Sequence, residues 1–108
     1  MSYEVLKRAI ESRRSLTGIY DDYLRVFTPH ILGKSTTGEP SVLCFQYGGG
    51  HPDGPLPHGG AWYLFAVNRL RRLEPNGDVW IAGPRDSKPL HLFAEIDVDG
   101  SVDDRMSA

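Results

Sequence analysis

Arg25 lies in the run YLRVF, two residues from Tyr23 and two from Phe27, and Arg69, Arg71 and Arg72 follow the apolar run AWYLFAV. A guanidinium grips phosphate through two parallel N–H bonds and stacks on flat rings. Cations interleaved with aromatic side chains also make the kind of surface on which single-stranded nucleic acid lies. The four arginines therefore set one expectation: a basic groove for an anionic ligand, a nucleotide or a single strand of nucleic acid. The competing reading pairs Arg25 with an acid and leaves Arg71 and Arg72 to keep a hairpin in water.

Other chemistry is thinly supplied. His30, His51, His58 and His91 fall in none of the short spacings that bring several ligands to one metal. His51 and His58 do share the 48–60 loop, GGGHPDGPLPHGG, so a small metal-dependent enzyme built on that loop stands as a third reading. The glycines of that loop leave an apolar segment and enter a proline-rich one. Phosphate cradles instead present backbone amides at the start of a helix. Ser12, Ser15, Ser35 and Ser41 lack the G-x-S-x-G setting of a strained nucleophile. Cys44 sits between Leu43 and Phe45, the place of a packed thiol rather than a reactive one. The expectation is a protein that is not an enzyme and carries no cofactor or metal.

The bulk properties fit a binding role without demanding one. The net charge is −2, but from residue 95 onward five acids meet one base, which leaves the first 94 residues at +2. A mildly basic body with an acidic end suits an anionic partner only weakly. A lone cysteine excludes an intrachain disulfide. The longest apolar run, 61–67, is far shorter than the ~20 residues that span a bilayer. The location expected is cytoplasmic, with no membrane contact, and a chain of 108 residues has room for one packed core.

The elements that must position the arginines follow from periodicity. SYEVLKRAIESRR has apolar residues at helical spacing, with Ser2 as a cap and Arg13 and Arg14 in the last turn. Period two then takes over. SLTGIY and YLRVFTPHIL read as strands around the turn Asp21-Asp22, with a close approach at Gly18 and an end or edge at Pro29. SVLCFQY, AWYLFAVNRL, VWIA and LHLFAEIDV read as further strands, EPNGD as a hairpin turn, and DGSVDDRMSA as a polar tail. The strand AWYLFAVNRL is apolar on both faces and so is expected to be covered on both. The fold class expected is α+β: a small antiparallel β-barrel of five to six strands with one N-terminal helix packed on it. It would occupy residues 1–98 as one domain, with residues 99–108 as tail.

The segments AIESRRSLTGIYDDYLRVFTPHILG, VLCFQYGGG and WYLFAVNRLRRL together resemble the WYL domain in its compact stand-alone form, over about residues 5 to 73. The residues that carry the likeness are Tyr20, Arg25, Pro29, Phe65 and Arg69. The family's naming strand corresponds to VLCFQY rather than to the letters Trp62-Tyr63-Leu64. WYLFAVNRLRRL is similar to the later strand that carries a Phe, an Arg and a following apolar residue. The resemblance implies an Sm-like small barrel that senses or binds ligands, often nucleotides or nucleic acid, in bacterial regulators. It implies Tyr20, Arg25 and Arg69 as contact residues, with Gln46 a polar neighbour. The helix-turn-helix segment that most of the family carries is missing from this sequence. The expected ligand-binding set is Tyr20, Arg25, Gln46, Arg69, Arg71 and Arg72. The alternative is a protein-interaction module, docking a partner or a second copy through an open strand edge.

Overall fold

The structure, a computed structural model, describes residues 2–100. Helix α1 (Ser2–Ser12) buries Leu6, Ala9 and Ile10, the stripe that three- and four-residue spacing puts on one face. It stops earlier than its charge pattern suggests. Arg13 adopts a left-handed φ of 57° and its N–H returns to the Ile10 carbonyl at 3.2 Å. Neither Arg13 nor Arg14 therefore belongs to the last helical turn. Arg13 instead lays its guanidinium over the Trp80 ring, 5.0 Å from the centroid, and Arg14 opens the first strand.

Six antiparallel strands follow: β1 (Arg14–Tyr20), β2 (Tyr23–Ser35), β3 (Pro40–Gly49), β4 (Ala61–Ala66), β5 (Arg71–Val79) and β6 (Phe93–Asp99). They form one sheet in the order β4-β3-β2-β1-β5, with β6 also on β2. Asp21 and Asp22 join β1 to β2 with φ values of 51° and 67°. Two successive left-handed residues make the type I′ turn whose twist matches a tight hairpin, and a short polar side chain tolerates that conformation.

The thirteen residues of β2 are the spine of the sheet. One edge pairs with β3 from Arg25 to Lys34. The other edge serves two strands in succession: β1 from Tyr23 to Phe27, then β6 from Ile31 to Ser35. Pro29, expected to end regular pairing or to sit at an edge, lies inside the strand, paired toward β3 on one side and in the gap between these two ladders on the other. A proline has no N–H to offer a ladder, so its place in the gap leaves both intact. The gap is crossed by Ile81, whose N–H reaches Thr28 Oγ1 at 3.2 Å and whose carbonyl accepts from His30 Nε2 at 2.8 Å. A register shift between Pro29 and Ile31 reverses the parity of β2. Phe27 and Leu32, odd and even, thereby enter the same core with Leu6, Leu16, Val42, Cys44 and Phe65.

The helix on an antiparallel sheet is as expected, but the sheet does not close into a barrel. No ladder among the described residues joins β4 to β5. The reason lies in the chain between them. The strand expected to run to Leu70 ends at Ala66, and a 3-10 turn at Val67–Arg69 diverts the backbone. Side chains bridge the seam instead. The Ala66 N–H donates to the Tyr20 hydroxyl at 3.0 Å, and the Phe65 ring lies 4.4 Å from that of Tyr20.

Two further expectations change. EPNGD is not a hairpin turn but part of β5, which pairs with β1 from Arg14↔Val79 to Ile19↔Arg71 with a register shift between Arg14 and Leu16, while the residues after Val79 are irregular. Of the β4 side chains only Phe65 is buried, so β4 is not covered on both faces. Residues 101–108, most of the expected tail, lie outside the described residues; Asp99 itself pairs with Ile31 at the end of β6. No helix among the described residues is long and apolar enough to cross a membrane.

Candidate functional site

Period two places Arg25 on the core side of β2, two residues before Phe27, and its cross-strand neighbour is Gly18. The side chain that glycine lacks would collide with Leu73, whose Cδ2 lies 2.7 Å from the position of a Cβ. The close approach expected at Gly18 is therefore present, and no β1 side chain stands directly opposite Arg25. Arg25 as a whole is 2% exposed.

Its partners are neutral. Nε and Nη2 both donate to the Tyr20 carbonyl, at 3.3 and 3.1 Å, and Nη1 donates to Gln46 Oε1 at 3.1 Å. Gln46 is fully buried and uses its amide to hold the start of the next loop, donating to the carbonyls of Gly48 and Gly50 at 2.9 Å each. The rings of Phe65, Tyr20 and Tyr23 lie 5.3, 5.6 and 5.8 Å from the Arg25 guanidinium carbon. No carboxylate among the described residues is in ion-pair contact with it. Burial pushes the Arg25 pKa below its ordinary value, and the more distant Asp21 opposes that shift. A guanidinium stays protonated regardless. Arg25 is thus a buried cation held by dipoles and ring faces.

A row of rings extends from this centre. Tyr20 packs on Phe65, Phe65 lies parallel to Tyr63 at 6.2 Å, and Tyr63 meets the imidazole of His51 at 4.5 Å. Tyr63 and His51 are half-buried, and Tyr23 is 39% exposed at the near end of β2. His51 Nδ1 accepts the Asp53 N–H at 3.1 Å, which fixes the first turn of the 48–60 loop beside these rings.

The other arginines are disposed differently. Arg69 is bonded to Asp21 and lies over the outer face of the hairpin end, its guanidinium carbon 4.8 Å from the Tyr20 ring centroid. The hydrogen bond to Asp21 raises its pKa further. Arg71 reaches Asp22 at 3.3 Å. The I′ turn therefore answers both with its two carboxylates. Arg72 has a left-handed φ of 53°, is exposed, and has no ion-pair partner among the described residues. Tyr20 links two of the six expected residues directly, because Arg25 and Arg69 both lie against its ring, and Gln46 joins through Arg25. Arg71 and Arg72 lie on β5, apart from that cluster. The convergence of four free guanidinium groups on one basic groove is not found.

Residue patterns missed Tyr63, His51 and the two aspartates as partners. Tyr63 was legible as the residue two before Phe65 on the same strand face. The Asp21–Arg69 and Asp22–Arg71 pairs span 48 and 49 residues; the second follows from the β1–β5 ladder that sets Ile19 opposite Arg71, and the first from the 3-10 turn just before that strand. His58 is exposed on the loop, and no group of three or more His, Cys, Asp or Glu side chains among the described residues gathers at a metal-holding distance. Cys44 is fully buried, and burial drives its thiol pKa well up.

No family, curated protein or solved structure matches the chain.

Proposed function

We propose that the protein is a non-enzymatic ligand-binding module of regulatory type, whose ligand joins an anionic group to a flat ring: a nucleotide or a short single strand of nucleic acid. The observation that carries this reading is Arg25, a buried guanidinium with no carboxylate beside it. Taking a cation out of water costs several kcal/mol unless a counter-charge or a full set of hydrogen bonds compensates. Three of the five guanidinium N–H groups are used in the named bonds, which leaves positive potential toward the aromatic row. Tyr23, Tyr63 and His51 supply faces on which a base can stack. The proposed contact set is Arg25 with these rings. Gln46 and Tyr20 orient the guanidinium, and Arg69 joins only when its bond to Asp21 opens.

The test is an NMR titration of the full chain with mononucleotides and a short oligonucleotide at low and moderate salt. Shifts concentrated at Tyr23, Gln46, His51 and Tyr63, weakened by Tyr63→Ala, are the expected result. Shifts scattered over the surface, or none at all, rule the reading out. A second reading, docking through a strand edge, is favoured by one observation. Among the described residues β5 pairs only with β1, and its terminal Val79 is 66% exposed. Sedimentation over a range of concentrations tests its homodimer version, which a monomer throughout would remove.

A further inference from the structure

A pocket of about 240 Å³, part polar and part apolar in its lining, opens between the β2–β3 hairpin and the end of β4. Its rim is formed by the hairpin residues Ser35, Thr36, Thr37, Glu39 and Ser41, and Arg69 and the Tyr20 side stand across from them. Leu64, Ala66 and Leu92 add an apolar patch. The volume lies below the ~300–1,000 Å³ of sites that enclose drug-sized ligands, so a single small ring is the scale of molecule it admits.

The hydrogen-bonding capacity of the walls is only partly used. Ser35 and Thr37 share one bond at 2.8 Å, and Ser41 donates to the Glu39 carbonyl at 3.0 Å. The Tyr20 hydroxyl accepts from Ala66 and keeps its own O–H as a donor. The Glu39 carboxylate has no hydrogen-bond or ion-pair partner among the described residues, though its charge is felt by Arg69.

Charge decides the ligand class. Arg69 is already bonded to Asp21, and Glu39 adds a second carboxylate, so one guanidinium stands between two acids. An anion entering here meets excess negative charge. A neutral polyol gains hydroxyl contacts alone. A molecule bearing both hydroxyls and an ammonium gains those contacts and a counter-charge, and its C–H face can lie on Leu64 and Ala66.

We propose that this pocket binds a small hydroxylated ammonium compound of the amino-sugar or amino-alcohol class, with Glu39 receiving the ammonium group and the hairpin hydroxyls reading the ligand's own. The site shares Tyr20 and Arg69 with the surroundings of Arg25 but selects the opposite charge through Glu39.

The experiment is a protein-observed NMR titration of the full chain with glucosamine, glucose and glucose 6-phosphate, at a pH where the amine is protonated. Glucosamine is expected to shift Thr36, Thr37, Glu39, Ser41 and Leu64. Glucose should bind about fivefold more weakly, the scale of one part-exposed ion pair, and glucose 6-phosphate more weakly still. Glu39→Gln, an exposed loop substitution that keeps the fold, should bring glucosamine down to the level of glucose. Glucosamine binding that ignores Glu39→Gln, equal binding of the phosphorylated sugar, or no shift in the pocket at millimolar ligand each overturns the proposal. Nucleotide shifts at Tyr63 and His51 are read separately, so either site can fail without the other.

Discussion

The Arg25 guanidinium forks onto a single backbone oxygen, the carbonyl of Tyr20, with Nε and Nη2 at 3.3 and 3.1 Å. Tyr20 is the last residue of β1, and Arg25 lies two residues beyond Tyr23, the first residue of β2. The bond therefore ties the two arms of a hairpin together just above its turn. Its other partner, Gln46, comes from the neighbouring strand and continues to Gly48 and Gly50. One cation thus fastens β1, β2, β3 and the start of the 48–60 loop.

Gln46→Leu removes the only side-chain acceptor of that cation among the described residues and leaves the rest of the guanidinium buried. Hydrogen bonds to charged groups contribute about 1.5–3 kcal/mol, so a loss of about 2–3 kcal/mol in unfolding free energy is expected. Urea denaturation of the variant beside the parent checks it. A change within 0.5 kcal/mol would show that Gln46 does not hold Arg25 in solution.

Asp21 and Asp22 occupy Arg69 and Arg71, and under the proposed function they restrain the anion affinity of this face. The double substitution Asp21→Asn and Asp22→Asn keeps residues that accept positive φ, so the I′ turn survives. Stability should move by no more than about 1 kcal/mol, as befits exposed pairs. Binding of a single-stranded oligonucleotide should tighten, and its logarithmic salt dependence should steepen by about 1.4, the contribution of two freed cations. Affinity measured at several salt concentrations gives the slope.

His30 makes the stability of the protein depend on acid. It is 1% exposed, packed between the rings of Trp62 and Trp80, and burial lowers its pKa from 6.5 to about 4. Nε2 donates to Ile81, so the neutral ring presents its Nδ1 lone pair to Lys88 Nζ at 3.5 Å. Below pH 6.5 the unfolded chain takes up a proton that the folded chain refuses, and stability falls as the pH drops toward 4. Above pH 6.5 both states are neutral and the effect vanishes. The full loss is about 3 kcal/mol. Thermal melts between these limits should show a steeper fall for the parent than for His30→Gln.

Tyr20→Phe leaves the Ala66 N–H without its acceptor while keeping the ring between Phe65 and Arg69. A cost of about 1–2 kcal/mol is expected. Hydrogen exchange locates it: the Ala66 amide should lose protection in the variant, whereas amides in the β2–β3 ladder should not.

Much of the architecture was legible because it is local. Leu6, Ala9 and Ile10 announce the helix, and the alternation through Leu16, Tyr20, Phe27, Val42 and Cys44 announces the first three strands. The stretch from Val67 to Val79 was not. A 3-10 turn has no period-two signature, and RRLEPNGDV, with its proline, glycine and charges, is a poor strand by composition. It becomes one because β1 offers it an unpaired edge. The site divides the same way. An arginine among aromatics in a strand marked Arg25, and its burial follows from the alternation that buries Phe27. Whether Arg69 and Arg71 are free depends on which acids the turn at residues 21 and 22 brings to them, and that is decided by closure between segments nearly fifty residues apart.

The partner exchange along β2 at Pro29 has a consequence for how the molecule assembles and opens. The β1–β5 ladder is complete without β6, which returns over some sixty residues to pair with β2 from Ile31 to Ser35 and adds the Asp97 carboxylate that receives Tyr3 and Lys7. Because the proline interrupts continuity between the two segments, fraying of the clasp need not unzip the hairpin that carries Arg25. Detachment of β6 would bare an extended template on β2 while the hairpin that carries Arg25 stays assembled.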